Sequence, residues 1–209
     1  MMRIESVSAR PDRAGRYAVQ LSDGSALRLY RQTVEDFGLY TGMELTDEQF
    51  AALTTAAGAM SAKMRAVRIV AASSVSKSDL EQRLVHKGED PQQAKDAVAW
   101  MADMDLLDDR KTAEQIVHRC IAKGYGLSRA KQALYEKRIP KAYWDEVLSD
   151  YPDQLETIVS FLQTRLDSAS DRREIQKAME ALMRKGHSYG MIRKGLGQLM
   201  LDSEDFPED

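Results

Sequence analysis

Cysteine, proline and long apolar runs are all scarce in this 209-residue chain. Its one cysteine, Cys120, permits no internal disulfide and no cysteine-cluster metal site, and suits a reducing compartment. Five prolines and 12 glycines exclude collagen-like and proline-rich architectures. No apolar stretch approaches the roughly 20 residues that span a bilayer. The opening Met1-Met2-Arg3-Ile4-Glu5 lacks the apolar run of a secretory signal, so a cytosolic protein without a membrane partner is predicted. Also missing are a glycine-rich phosphate loop, a nucleophile elbow and an HExxH helix, which argues against an enzyme and against a bound cofactor. His86, His118 and His187 have no metal-ligand spacing and read as surface or helix-end residues. Asp103, Asp105, Asp108 and Asp109 lack the glycine and distal glutamate of a calcium loop, so Asp108 or Asp109 reads as a helix N-cap.

What is present suffices for a core: 43% of residues are hydrophobic and 30% charged. The net charge of −3 hides an uneven distribution. Residues 110–141 carry 9 basic side chains against Glu114 and Glu136, while residues 79–109 carry 9 acidic ones against Arg83, Lys87 and Lys95. Neighbouring fields of opposite sign can orient a charged partner, although such runs also occur simply as solvated helix faces. Residues 202–209 add 5 acidic groups and no basic one, the composition of a disordered tail that could compete with DNA for a basic face.

The first sixty residues alternate in short stretches at 4–9, 17–21 and 26–30, with Ser22-Asp23-Gly24 as a hairpin turn, so a small antiparallel sheet is predicted. Val34, Phe37 and Leu39 suggest a short helix, and Thr46 with Gln49 has capping-box spacing, which starts another helix at Asp47. Beyond about residue 60 apolar side chains recur every three or four positions and no strand signal appears.

That helical part repeats. Aligning Leu84, Leu134 and Leu182, at offsets of 50 and 48 residues, also aligns Leu80 with Ala130 and Ala178, and Lys87 with Lys137 and Lys185. Further on, Ala94, Trp144 and Ile192 coincide, then Val98, Leu148 and Leu196, then Met101, Tyr151 and Leu199. A turn divides each unit, at Gly88-Glu89-Asp90-Pro91, Arg138-Ile139-Pro140 and Gly186-His187-Ser188, and an earlier helix precedes it at 62–72, 109–122 and 155–168. The predicted fold is mainly α: three tandem three-helix repeats in an elongated, curved array behind a small sheet-containing segment. The predicted boundaries are 1–60 for that segment, 61–108, 109–152 and 153–201 for the repeats, and 202–209 for the tail. Such arrays offer long surfaces and favour binding over catalysis.

The residues also carry a resemblance. Ser76-Lys77-Ser78-Asp79-Leu80-Glu81-Gln82-Arg83-Leu84-Val85-His86-Lys87-Gly88 resembles the first helix and terminal Lys-Gly of the RecX family of regulatory proteins. Met104-Asp105-Leu106-Leu107-Asp108-Asp109, followed by Ala113, Ile116, Val117 and Arg119, resembles that family's most recognisable segment, and Lys123-Gly124 and residues 134–139 extend the match. Thr112 stands where the family usually has an aromatic, and Arg138 where it usually has glycine. The resemblance implies a monomeric protein without an active site. Such a protein binds the RecA recombinase filament and modulates, chiefly inhibits, its growth, ATP hydrolysis and strand exchange in DNA repair, recombination and the SOS response.

On this reading Arg119, Lys123, Arg129, Lys131, Arg138 and Lys141 form the first candidate contact face, toward acidic recombinase surface or DNA phosphate. Arg172, Arg173, Lys177, Arg184, Arg193 and Lys194 form the second. Contact with single- or double-stranded DNA alone is expected to be weak and non-specific. Lys87, Lys137 and Lys185 recur near helix C-termini, where a cation complements the helix dipole, and read as structural. Cys120 reads as a buried thiol, and Trp144 and Tyr151 as core aromatics. The alternatives are a DNA-binding module of helix-turn-helix type, since a helix pair joined by a tight turn is that motif's outline, or a helical-repeat adaptor for another protein.

Overall fold

The computed structural model describes residues 1–167 and 170–199; the acidic tail at 202–209 lies outside the described residues. The chain divides into two compact units, Met1–Leu107 and one that begins at Asp108.

In the first unit, strands β1 (Met2–Val7), β2 (Arg16–Leu21), β3 (Ala26–Tyr30) and β4 (Glu44–Leu45) form one antiparallel sheet in the order β3-β2-β1-β4. The predicted hairpin turn holds: Gly24 takes a φ of +84°, and the Asp23 carboxylate accepts the Ser25 N–H at 2.9 Å. Helix α1 (Arg31–Asp36) follows β3 directly. Strand β4 is two residues long, too short for an alternation to announce it; its register places Leu45 opposite Met2. Ile4, Val19, Leu21, Leu29, Leu45 and Leu53 close this core.

Helix α2 (Asp47–Ala72) begins at the predicted capping box, with Thr46 accepting the Gln49 N–H at 3.1 Å and Gln49 accepting the Thr46 N–H at 2.9 Å. It then runs unbroken for 26 residues, so the helix expected from Asp47 and the one expected over 62–72 are a single element, and residue 60 lies in its middle. No proline interrupts it, and its one glycine, Gly58, packs under the side chain of Gln93. Its first half covers the sheet through Leu53, while Ala62 and Ala66 pack against Leu80 and Leu84 of α3 (Lys77–His86) and Ala94, Val98 and Met101 of α4 (Pro91–Asp103). Ser76 caps α3 and Asp90 caps α4, with Pro91 at the first position, where no N–H partner is needed.

The second unit contains α5 (Asp109–Ala122), α6 (Leu127–Glu136), a 3-10 turn (Lys141–Tyr143), α7 (Trp144–Leu148), α8 (Gln154–Gln163), α9 (Arg172–Arg184) and α10 (Tyr189–Gln198). Asp108 is the N-cap of α5 and accepts the N–H groups of Arg110 and Lys111. The aligned leucines Leu84, Leu134 and Leu182 are all fully buried. Two helices are shorter than expected: α8 ends at Gln163, and the last helix of the middle repeat is reduced to a 3-10 turn and the five residues of α7.

The three repeats share one turn. After α3, α6 and α9 a lysine, Lys87, Lys137 or Lys185, occupies the C-cap, and the next residue is left-handed: Gly88 at φ +89°, Arg138 at +53° and Gly186 at +86°. The residue after that, Glu89, Ile139 or His187, donates its N–H back to Leu84, Leu134 or Leu182 at 3.0–3.1 Å. The left-handed residue donates to Val85, Tyr135 or Met183 at 2.8–2.9 Å. Together these two bonds make the Schellman closure, which satisfies carbonyls the helix end would otherwise leave without partners. Arg138 adopts there a conformation that costs an L-residue with a Cβ roughly 1–2 kcal/mol.

Candidate interaction surface

Apart from Arg110 and Lys111, which pair with Glu146 and Asp108 at the start of α5, the basic residues of the second unit fall into three groups. Arg119, Lys123 and Arg129 gather where α5 ends and α6 begins. Burial pushes the Cys120 thiol pKa up, and the positive charges of Arg129, Lys123 and Arg119 around it pull the other way. Cys120 is buried there as expected, with no role that exposure would require. Arg129 is half-buried, and its guanidinium donates to Gln132 at 2.9 Å and lies 4.0 Å from Glu136. Lys131 is exposed midway along α6. Arg138 and Lys141 lie past its other end, about 15 Å from the first group by the rise of a ten-residue helix. The first candidate set therefore spans the length of α6 rather than forming a single cluster, with Arg129 and Lys131, two positions apart, on opposite sides of the helix.

The second candidate set lies on α9 and α10. Arg172 and Arg173 occupy the first turn of α9, where the helix dipole opposes positive charge, beside the capping box that Asp171 and Glu174 form. Lys177 and Arg184 are exposed on the same helix, with Arg184 3.8 Å from Glu180. Arg193 stands 6.0 Å over the Tyr189 ring, and Lys194 is exposed on α10.

A third group ties the middle and last repeats together. Lys185, read as structural, donates its Nζ to the Lys123 carbonyl at 2.8 Å and stands 5.8 Å from the Tyr125 ring and 5.5 Å from Phe161. Arg165, which the sequence reading did not single out, stacks 4.6 Å over Phe161; its only signal was spacing, four positions from that ring. The Tyr151 hydroxyl donates to the Tyr125 carbonyl at 2.8 Å, and Trp144 Nε1 to the Ile139 carbonyl at 3.1 Å, so both aromatics serve packing as predicted. The Gly126 N–H donates to the Lys185 carbonyl at 2.8 Å, and a Cβ on Gly126 would come within 2.2 Å of the Gly186 oxygen. Glycine is required at Gly126 by this turn-to-turn contact.

His187, expected at the surface or at a helix end, follows the end of α9 but is not at the surface. It is 5% exposed, because as the residue after the left-handed Gly186 its side chain turns inward. Its Nε2–H donates to the Gly124 carbonyl at 3.2 Å, whereas Nδ1 is buried without a hydrogen-bond partner. Burial lowers the imidazole pKa and the nearby Lys185 charge lowers it further, against the opposing effect of the Gly124 bond. His86 and His118 are exposed.

Part of the acidic field over 79–109 is spent on structure. Asp90 and Asp108 are N-caps, Asp79 pairs with Arg83 at 2.9 Å, and the buried Glu89 pairs with Arg65 of α2 at 2.6 Å. Among the described residues no three His, Cys, Asp or Glu side chains converge as a metal site, and no helix is long and apolar enough to cross a membrane.

Comparison with known proteins finds a family to which these features are similar. The second three-helix domain of RecX matches residues 108–148, running from the N-cap of α5 to the last residue of α7. The regulatory protein RecX of Halorhodospira halophila is 29% identical over 156 residues, covering 72% of this chain and 97% of its own. That of Limosilactobacillus reuteri is 26% identical over 204 residues, covering 92% and 76% respectively. The chain is similar to RecX regulatory proteins over most of its length. A crystal structure of regulatory protein RecX, at 24% identity, has a TM-score of 0.61 and covers 93% of this chain and all of the other. RecX from Lactobacillus salivarius, at 21% identity, gives a TM-score of 0.59 over 69% of this chain. Both likenesses concern the fold, which in this chain is mostly helical with a small N-terminal antiparallel sheet.

Proposed function

We propose that this RecX-like chain is a monomeric cytosolic regulator, with no chemistry of its own, that binds the RecA nucleoprotein filament and restrains its growth, ATP hydrolysis and strand exchange. The observation that carries the reading is that the family match, at residues 108–148, falls on the segment holding Arg119, Lys123, Arg129, Lys131, Arg138 and Lys141. Cations spread along this segment suit a partner that combines acidic protein with DNA phosphate, and phosphate contacts add affinity without sequence preference. A helix-turn-helix reader of duplex DNA is the weaker reading. In the middle repeat the helix that would enter the groove is α7, five residues long, and it exposes Asp145 and Glu146 toward any phosphate it met.

The test is ATP hydrolysis by RecA on single-stranded DNA with this protein titrated from substoichiometric amounts. Inhibition is expected, and the triple variant R129E, K131E and R138E should abolish it. No effect at saturating protein would remove the reading.

A further inference from the structure

The residue immediately after each aligned core leucine is apolar and exposed in all three repeats: Val85 at 39%, Tyr135 at 71% and Met183 at 51%. Single exposed apolar residues are ordinary on protein surfaces and ask for no explanation. Here, however, three of the seven large hydrophobic side chains exposed among the described residues share one repeat position, and the other four fall elsewhere, at Met1, Tyr40, Met104 and Leu106. The fold does not demand the pattern. The backbone carbonyl at this position takes part in the turn, accepting the N–H of the left-handed residue, whereas the side chain points to solvent and any helix-compatible polar residue would serve.

The surroundings in the second unit are cationic. Exposed Lys131 stands four positions before Tyr135 on α6, which is helical neighbour spacing, and exposed Arg138 follows three positions after it, just past the helix end. Met183 borders the α9 stripe of Arg173, Lys177 and Arg184, broken only by Glu180. An apolar side chain ringed by cations fits a partner surface on which an apolar recess is framed by carboxylates. Nucleic acid fits less well, because Met183 and Val85 have no ring to stack on a base and occupy the same position as Tyr135.

We propose that Tyr135 and Met183 are the anchors of the middle and last three-helix units, each entering an acid-rimmed apolar recess on a protein partner that presents the same recess many times, as a polymer of identical subunits does; Val85 shares their repeat position but stands beside Glu81 without the cations. This rests on the RecA-filament reading and deepens it: the cations supply attraction and orientation, and the apolar residues supply the desolvated contact.

The experiment measures binding of the full-length chain to RecA filaments on single-stranded DNA, and separately to that DNA without RecA. The double variant Y135S and M183S should lose about 30-fold in filament affinity, the scale of a truncated interface hot spot, with the melting temperature and DNA-only binding unchanged. Y135F with M183L should keep wild-type affinity, which separates lost apolar contact from lost fold. Y40S, which removes a comparably exposed ring from the first unit, should have no effect. Wild-type filament affinity in the serine variant would overturn the anchors while leaving the RecA reading intact. Equal loss with and without RecA would overturn them in favour of nucleic acid. A wild-type chain that does not bind filaments would remove both.

Discussion

After α6 the residue that follows the left-handed position is Ile139, and after α9 it is His187; the same pair of backbone hydrogen bonds holds both, and both side chains are buried. Ile139 needs only an apolar surround and finds it among Ala113, Val117 and Leu134. His187 must place two ring nitrogens, and the Gly124 carbonyl serves one of them. In the first unit the same position holds Glu89, which Arg65 and the Ser61 hydroxyl of α2 accommodate. The difference teaches that the helix-ending turn is a backbone device indifferent to its side chain. Each side chain instead dictates what the helix or turn facing it must supply, so equivalent turns respond to different perturbations.

Ile139→Ala tests the apolar version and should cost the most, about 3 kcal/mol in denaturant unfolding, from lost transfer energy and the cavity left behind. A loss below about 1 kcal/mol would mean that the middle repeat closes without its turn residue. The imidazole version responds to acid. His187 has a folded pKa below its ordinary 6.5, so the unfolded chain binds the proton more tightly. The stability this residue contributes is complete above pH 6.5 and is lost as pH falls from there through the lowered folded value, by at most about 1.4 kcal/mol per pH unit. His187→Leu should flatten that part of the stability profile relative to wild type. Smallest is the effect of the left-handed position itself. Arg138→Gly gives the middle repeat the residue its counterparts have and should raise stability by about 1 kcal/mol, read as a shift in the unfolding midpoint. A decrease would mean that the Arg138 side chain contributes more than its backbone strain costs.

The parts legible in advance were those that depend on local pattern. The aligned leucines, the hairpin at Gly24, the capping box at Thr46 and the cap at Asp108 each follow from a few adjacent residues. The continuity of α2 did not, because the change from alternating to helical pattern near residue 60 resembles a boundary when the chain is actually passing from one core to the next. The two-residue strand β4 has no period to detect. His187 looked like a helix-end residue, which it is; its burial depends on Gly124, 63 positions away. The candidate cations were visible as composition, but their distribution around and along α6 required the fold. The apolar anchors were in plain view in the repeat alignment, one place beyond the core leucines, and only exposure distinguishes them from core.

The unbroken course of α2 has a consequence for dissecting the molecule. Because one rod is embedded at one end under the sheet and at the other in the α3–α4 bundle, a cut anywhere between residues 47 and 72 leaves each fragment with a frayed stump and an uncovered core. Sheet and first bundle should melt in a single cooperative step, and limited proteolysis should spare this stretch until both are lost.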